Sequence, residues 1–269
     1  MLRDITLGQY YQADSIIHKL DPRVKLATTL IFIISLFVFD NIAGYAVAAI
    51  FLIIVIKLSK VPFKFMVKGM KAIVFLLLLT VICNLLLTPG EPVVTFWKLT
   101  ITKEGLRLAG LMAVRLSFLI IGSSIMTLTT TPNQLTDAME KMMGPLKRIK
   151  VPVHEIAMMM SIALRFIPIL LEETDKIMKA QIARGADFES GNLVKKAKSM
   201  VPLLVPLFIS AFRRANDLAM AMEARCYRGG EHRTKMKPLH YEHRDYIAYA
   251  IVACYLVAGI AAGKIVGML

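Results

Sequence analysis

Four stretches of this chain, residues 26–58, 72–87, 106–128 and 246–266, are almost free of charged side chains. Nothing else in the sequence limits its folding as much. In hydrocarbon the backbone N–H and C=O groups find no water, so an apolar run must close its own hydrogen bonds as a helix. A span needs about 20 such residues. The first run is interrupted at Asp40–Asn41, with Gly44 following, which divides it into two halves. Five membrane helices result. The apolar share of 57% and mean hydropathy of +0.61 exceed the roughly 45–50% apolar content of soluble domains.

The charge that remains is basic, +14 over the chain. A basic balance can mark a nucleic-acid binder, but here the lysines and arginines flank the apolar runs, as they do in cytoplasmic loops. No nucleic-acid partner is expected; the lipid bilayer is. Cys83, Cys226 and Cys254 form no CxxC pair, which argues against a disulfide framework or a zinc site. The N-terminal residues carry Asp4, Asp14 and Asp21 and lack the basic start and short apolar core of a cleaved signal.

Arg23 and Lys25 precede the first half-run and Lys57 and Lys60 follow the second, with an acidic break between. That pattern predicts a hairpin with both ends in the cytoplasm. From Lys57 to Lys71, lysines alternate with Val61, Phe63, Phe65, Met66 and Met70, as in an amphipathic stretch on the inner surface or a snorkelling loop. The third run ends at Pro89-Gly90, and the loop beyond it holds Trp97, an interfacial anchor for the outer face. The fourth run contains Arg115; a charge at that depth must face protein or a polar cavity. Gly259, Gly263 and Gly267 in the last run repeat every four residues, a packing face for a neighbouring helix.

Residues 131–245 hold no clean span and are rich in Lys and Arg, which assigns them to the cytoplasm. Thr131-Pro132-Asn133 opens a short helix, with Thr131 or Asn133 as its cap. A long segment runs from Pro152 to Arg184, apolar first and charged later, with Pro168 inside. A second, at about 194–226, contains Pro202 and Pro206, then Arg213 and Arg214. The two look parallel and finish alike, in Ala183-Arg184-Gly185 and Ala224-Arg225-Cys226. Each segment would be a helix roughly 45 Å long. An arginine in a last turn is ordinary, since cations suit the negative end of the helix dipole and glycine is a common stop. Two such ends on two long segments point to more: guanidinium forks offered to carboxylates of a partner.

No GxxxxGK[S/T], HExxH or GxSxG occurs, so the chain carries no recognisable ATP site or hydrolytic centre, and no cofactor is expected. His232, His240 and His243 match no metal spacing. His232, Glu242 and His243 are the only candidates for lipid chemistry at the interface, and poor ones.

Taken together, Leu20-Asp21-Pro22-Arg23-Val24-Lys25-Leu26, Thr130-Thr131-Pro132, Leu164-Arg165-Phe166-Ile167-Pro168 with Glu172-Glu173, and the two Ala-Arg-small triplets resemble the transmembrane T component of energy-coupling factor (ECF) vitamin transporters, a group that includes cobalt-transport permeases. The likeness covers nearly the whole chain; Cys226 stands where Gly or Ser is usual. It implies an all-α polytopic membrane protein: a membrane domain of about four helices at 1–130, a cytoplasmic coupling-helix domain at 131–245 and a last membrane helix at 246–269. It also implies a non-catalytic subunit of the plasma membrane, with its N-terminus and coupling domain cytoplasmic. Two ABC-type ATPase subunits would grip Ala183, Arg184, Gly185 and Ala224, Arg225, Cys226, and a vitamin-binding S component would be tilted by the helices between them. The alternative is a stand-alone permease with its own substrate pathway that uses Arg115.

Overall fold

The structure, a computed structural model, describes residues 10–39, 41–66, 73–96, 99–186, 188, 192–230, 236 and 238–267. Asp40, Trp97, His232 and the Lys68–Lys71 end of the amphipathic stretch lie outside them. Contacts divide the chain into two compact units, one of Met139–Pro238 and the other of Gly8–Ala138 with Leu239–Leu269.

The second of these is the apolar one. Its helices are α1 (Pro22–Val38), α2 (Ile42–Ser59), α3 (Val74–Leu87), α4 (Lys103–Thr129) and α8 (His243–Gly267), one for each run read from the sequence. The chain is an all-α, polytopic membrane protein with one small hairpin, β1 (Pro92–Phe96) against β2 (Leu99–Thr102), between α3 and α4. Among the described residues four helices are long and apolar enough to cross a bilayer: α2, α4, α8 and, against the expectation of no clean span in 131–245, α6 (Val153–Ala183) of the other unit. α1, with 17 residues, and α3, with 14, fall short of the ~20 for an upright span.

Local chemistry starts these helices. Asp21 caps α1 by accepting from the Arg23 N–H, and Pro22 occupies the first turn, where its missing N–H costs nothing. Thr102 caps α4 through the Gly105 N–H. At α5 (Pro132–Met142), Thr131 Oγ1 accepts from the Gln134 N–H while Gln134 Oε1 accepts from the Thr131 N–H, a reciprocal capping box.

α1 and α2 each pack on α4 and α8, and α3 packs on α4. The core joins Phe32, Leu36 and Phe39 of α1 and its end to Tyr45 and Leu52 of α2, Ile121 and Ile125 of α4, and Tyr255 of α8. Phe51 stacks on Tyr255 at 4.4 Å, and the Tyr255 hydroxyl meets Ser35 Oγ at 2.6 Å. The glycine face of α8 is used for close packing: a Cβ on Gly259 would lie 2.2 Å from Phe39 Cζ, and the Gly263 carbonyl accepts from Asn41 Nδ2 at 2.8 Å. Val61 and Met66 are buried in the core, whereas Phe63 and Phe65 remain exposed. Arg115 is half-buried, donates from Nε to the Tyr45 hydroxyl at 2.6 Å and lies over the Phe37 ring.

One buried carboxylate ties the start of α8 to the start of α1. Asp245, 2% exposed, accepts the Asp21 N–H at 2.9 Å and the Glu242 N–H at 2.8 Å. Asp21 in turn holds Arg23 through Nε and NH2, and Arg23 lies 4.0 Å over the Tyr241 ring. Asp245→Ala strands both amides, at about 1–3 kcal/mol each. The expected result is a fall in the thermal midpoint of the purified protein, with a smaller fall for Asp245→Asn, which keeps one acceptor.

Candidate functional site

Two helices dominate the Met139–Pro238 unit: α6 (31 residues) and α7, Leu193–Ala224 (32 residues). Each is about 45 Å long at 1.5 Å per residue. Both tolerate internal proline, Pro168 in α6 and Pro202 and Pro206 in α7. Because Pro206 has no N–H, the Pro202 carbonyl loses its partner one turn on. Gln181 Nε2 of α6 donates to that carbonyl at 3.4 Å, so a defect in one helix is met by a side chain of the other.

The two helices run antiparallel, not parallel as their similar layouts suggest. Gln181 meets Pro202, Glu173 accepts from Ser210 Oγ at 2.9 Å and pairs with Arg214, and Ile162 shares a pocket with Leu218 and Met222. Partner numbers fall along α7 as they rise along α6. The two ends therefore lie far apart. Arg225 shares a pocket with Met158 and Ile162 near the start of α6, and from Ile162 to Arg184 the helix rises roughly 33 Å.

At both ends the backbone is the same. Arg184 is the C-cap of α6; the Gly185 N–H donates to Ile182 O at 2.9 Å and the Ala186 N–H to Gln181 O at 3.0 Å. Arg225 is the C-cap of α7; the Cys226 N–H donates to Glu223 O at 2.8 Å and the Tyr227 N–H to Met222 O at 3.0 Å. Both are Schellman turns, which require a left-handed residue just after the cap. Gly185 has φ +86° and Cys226 has φ +55°. The turn closes the last carbonyls and leaves the arginine on the outermost turn. Ala183, Arg184, Gly185, Ala224, Arg225 and Cys226 are all exposed.

Cys226 carries the steric penalty that glycine avoids, about 1–2 kcal/mol for an L residue in this region. Cys226→Gly is expected to slow hydrogen exchange of the amides that close the α7 turn. Gly185→Ala is expected to speed exchange at the α6 turn by a comparable factor. Exchange mass spectrometry over peptides covering each tip checks both.

A second feature was only half legible. The middle of α7 reads as apolar, but it is its outward face that matters. Val201, Leu204, Val205, Phe208, Ile209 and Phe212 are each between 51% and 65% exposed, at helical spacing. Exposed apolar patches of this kind mark interaction surfaces. His240 and His243 are exposed, and among the described residues no group of His, Cys, Asp and Glu is arranged to hold a metal.

The sequence matches the profile of the cobalt transport protein family, CbiQ, over residues 13–236. It is 58% identical over 250 residues to the energy-coupling factor transporter transmembrane protein EcfT of Clostridium kluyveri, covering 92% of this chain and 93% of that one. The EcfT of Thermosediminibacter oceani is 53% identical over 259 residues, 96% and 98% of the two chains. That of Bacillus subtilis is 47% identical over 248 residues, 91% and 93%.

Proposed function

The chain belongs to the cobalt transport protein (CbiQ) family, to which the energy-coupling factor transmembrane proteins EcfT are its relatives, and from that premise we propose that it is the coupling subunit of an ECF-type ABC importer. Two ABC-type ATPase subunits hold it, one at Arg184 and one at Arg225. A vitamin-binding S component in the membrane rests on the apolar face of the α6–α7 pair. In this reading the N-terminus and the two arginine tips lie in the cytoplasm, and the chain itself is not an enzyme.

The observation that carries this reading is the repeated tip. Two long helices end in one and the same turn, with an exposed arginine at the same cap position and a separation of roughly 33 Å along the pair. A pair of identical grips that far apart suits two like partners rather than one. Each guanidinium fork can make paired, charge-assisted hydrogen bonds to carboxylates in an ATPase groove. ATP-driven closure of the ATPase pair would shift the two tips relative to each other, and a helix pair cross-linked through Glu173, Ser210 and Arg214 transmits that shift to whatever lies on its apolar face.

Affinity purification of the tagged chain from its membrane, with every bound protein identified, is the direct test. The reading requires two ATPase copies and a further small membrane subunit. Ligand uptake by the chain alone in liposomes would overturn it in favour of a self-contained permease.

A further inference from the structure

Between α1, α2, α4 and α8 lies a cavity of about 150 Å³ that the proposed coupling role does not use. Its walls are apolar, including Phe32, Phe51, Val55, Ile125 and Val252. It opens on the outside of the bundle, since Ile54, Leu58 and Ile251 line it and are each 40–52% exposed. α2 and α8 are both long and apolar enough to span a bilayer, so this mouth faces lipid.

Charge gathers at one end of it. Lys25 lines the cavity and is 5% exposed; its ammonium donates to two carbonyls, His18 O at 3.0 Å and Thr129 O at 2.9 Å. Lys57 lies three residues beyond the cavity-lining Ile54, on the same face of α2 and in its last turn. Arg244 lies four residues before the cavity-lining Ala248 on α8. One of its NH2 groups pairs with Glu242 at 2.8 Å, while its buried Nε has no hydrogen-bond partner among the described residues.

We propose that this cavity takes in part of one acyl chain of an anionic phospholipid, whose phosphate is bound at its basic end by Lys57 and Arg244. Size selects the class of occupant. A transmembrane helix about 10–12 Å across does not enter so narrow a space, whereas a single hydrocarbon chain does. Charge selects the headgroup. Lys57 and Arg244 each stand one turn from a residue of the cavity wall, Ile54 and Ala248, and Lys25 is buried at the same end with Asp21 and Asp245 as its nearest carboxylates. Each cation near a membrane surface contributes about a five-fold preference for an anionic lipid. A lipid seated among four helices would fix their spacing at the basic end of the bundle.

The full chain is reconstituted in vesicles of dibrominated phosphatidylglycerol or dibrominated phosphatidylcholine. Tryptophan is placed at the cavity wall as Met126→Trp in a Trp97→Phe background, which leaves one fluorophore. Stronger quenching by the brominated phosphatidylglycerol is expected, weakening about five-fold in apparent preference with Lys57→Gln. In a parallel readout free of the reporter, native mass spectrometry of the unaltered chain should show one retained phosphatidylglycerol. Ala248→Leu, which fills the space, should lose it. Equal quenching by both lipids would reduce the cavity to ordinary annular contact and overturn the proposal. So would full retention by Ala248→Leu, or occupancy by free inorganic phosphate without lipid.

Discussion

The double variant Arg184→Ala, Arg225→Ala is expected to release both ATPase subunits and abolish ATP-driven uptake, while each single variant keeps part of both. Removing one partner of a desolvated, hydrogen-bonded charge pair costs about 2–5 kcal/mol, a loss of about thirty-fold at the least. A single loss is buffered because the other tip still tethers the ATPase pair, and a tethered second contact is intramolecular, with an effective concentration near the millimolar range. Losing both removes the avidity as well, so the double effect should exceed either single effect by a factor of about 100 or more. Lysine is not an adequate substitute, because a compact ammonium cannot make the paired contact of a planar fork. Arg184→Lys and Arg225→Lys should therefore fall nearer to alanine than to wild type. Both side chains are exposed in this chain, so the variants should fold normally. ATPase pull-down, quantified against uptake in vesicles, separates lost attachment from lost coupling. Normal uptake by the double variant would remove the basis of the proposed grip.

Helix positions were legible because burial in lipid and capping are both local. Apolar runs at 106–128 and 246–266 became α4 and α8 within a few residues, and the Thr131-Pro132 start follows from groups a turn apart. The two arginine tips were legible as well, since a Schellman turn involves six consecutive residues. What could not be read is long-range. The direction of α7 relative to α6 is set by pairs such as Glu173 with Arg214, whose partners have no sequence signature. The bond from Asp21 to Asp245 spans 224 positions. The β1–β2 hairpin was missed because alternation over five and four residues is too short to stand out beside the apolar runs. Cys226 in a left-handed turn was the least expected; the structure shows that the turn keeps its hydrogen bonds with a side chain present.

Aspartate at Leu204 and Phe208 together is expected to detach the S component and leave the ATPases in place. In this chain alone both side chains are more than half exposed, 54% and 65%, so placing charge there should change folding stability little, within about 0.5 kcal/mol. In a complex the balance reverses. Covering a Leu and a Phe contributes about 1.5–3 kcal/mol each, and an unpaired carboxylate left in the contact costs more again. The sum corresponds to a weakening of at least about a hundred-fold. The double aspartate variant and the double arginine variant then form a complementary pair: one loses the small membrane subunit and retains ATPases, the other loses ATPases and retains the membrane subunit. Both should lack uptake, for different reasons visible in the same purification. A stand-alone permease gives no reason for such a split, because its pathway would depend on neither surface. If the aspartate variant holds the S component as tightly as wild type, the apolar face of α7 serves lipid or another chain, and the motion of the two tips must reach its load by a different route.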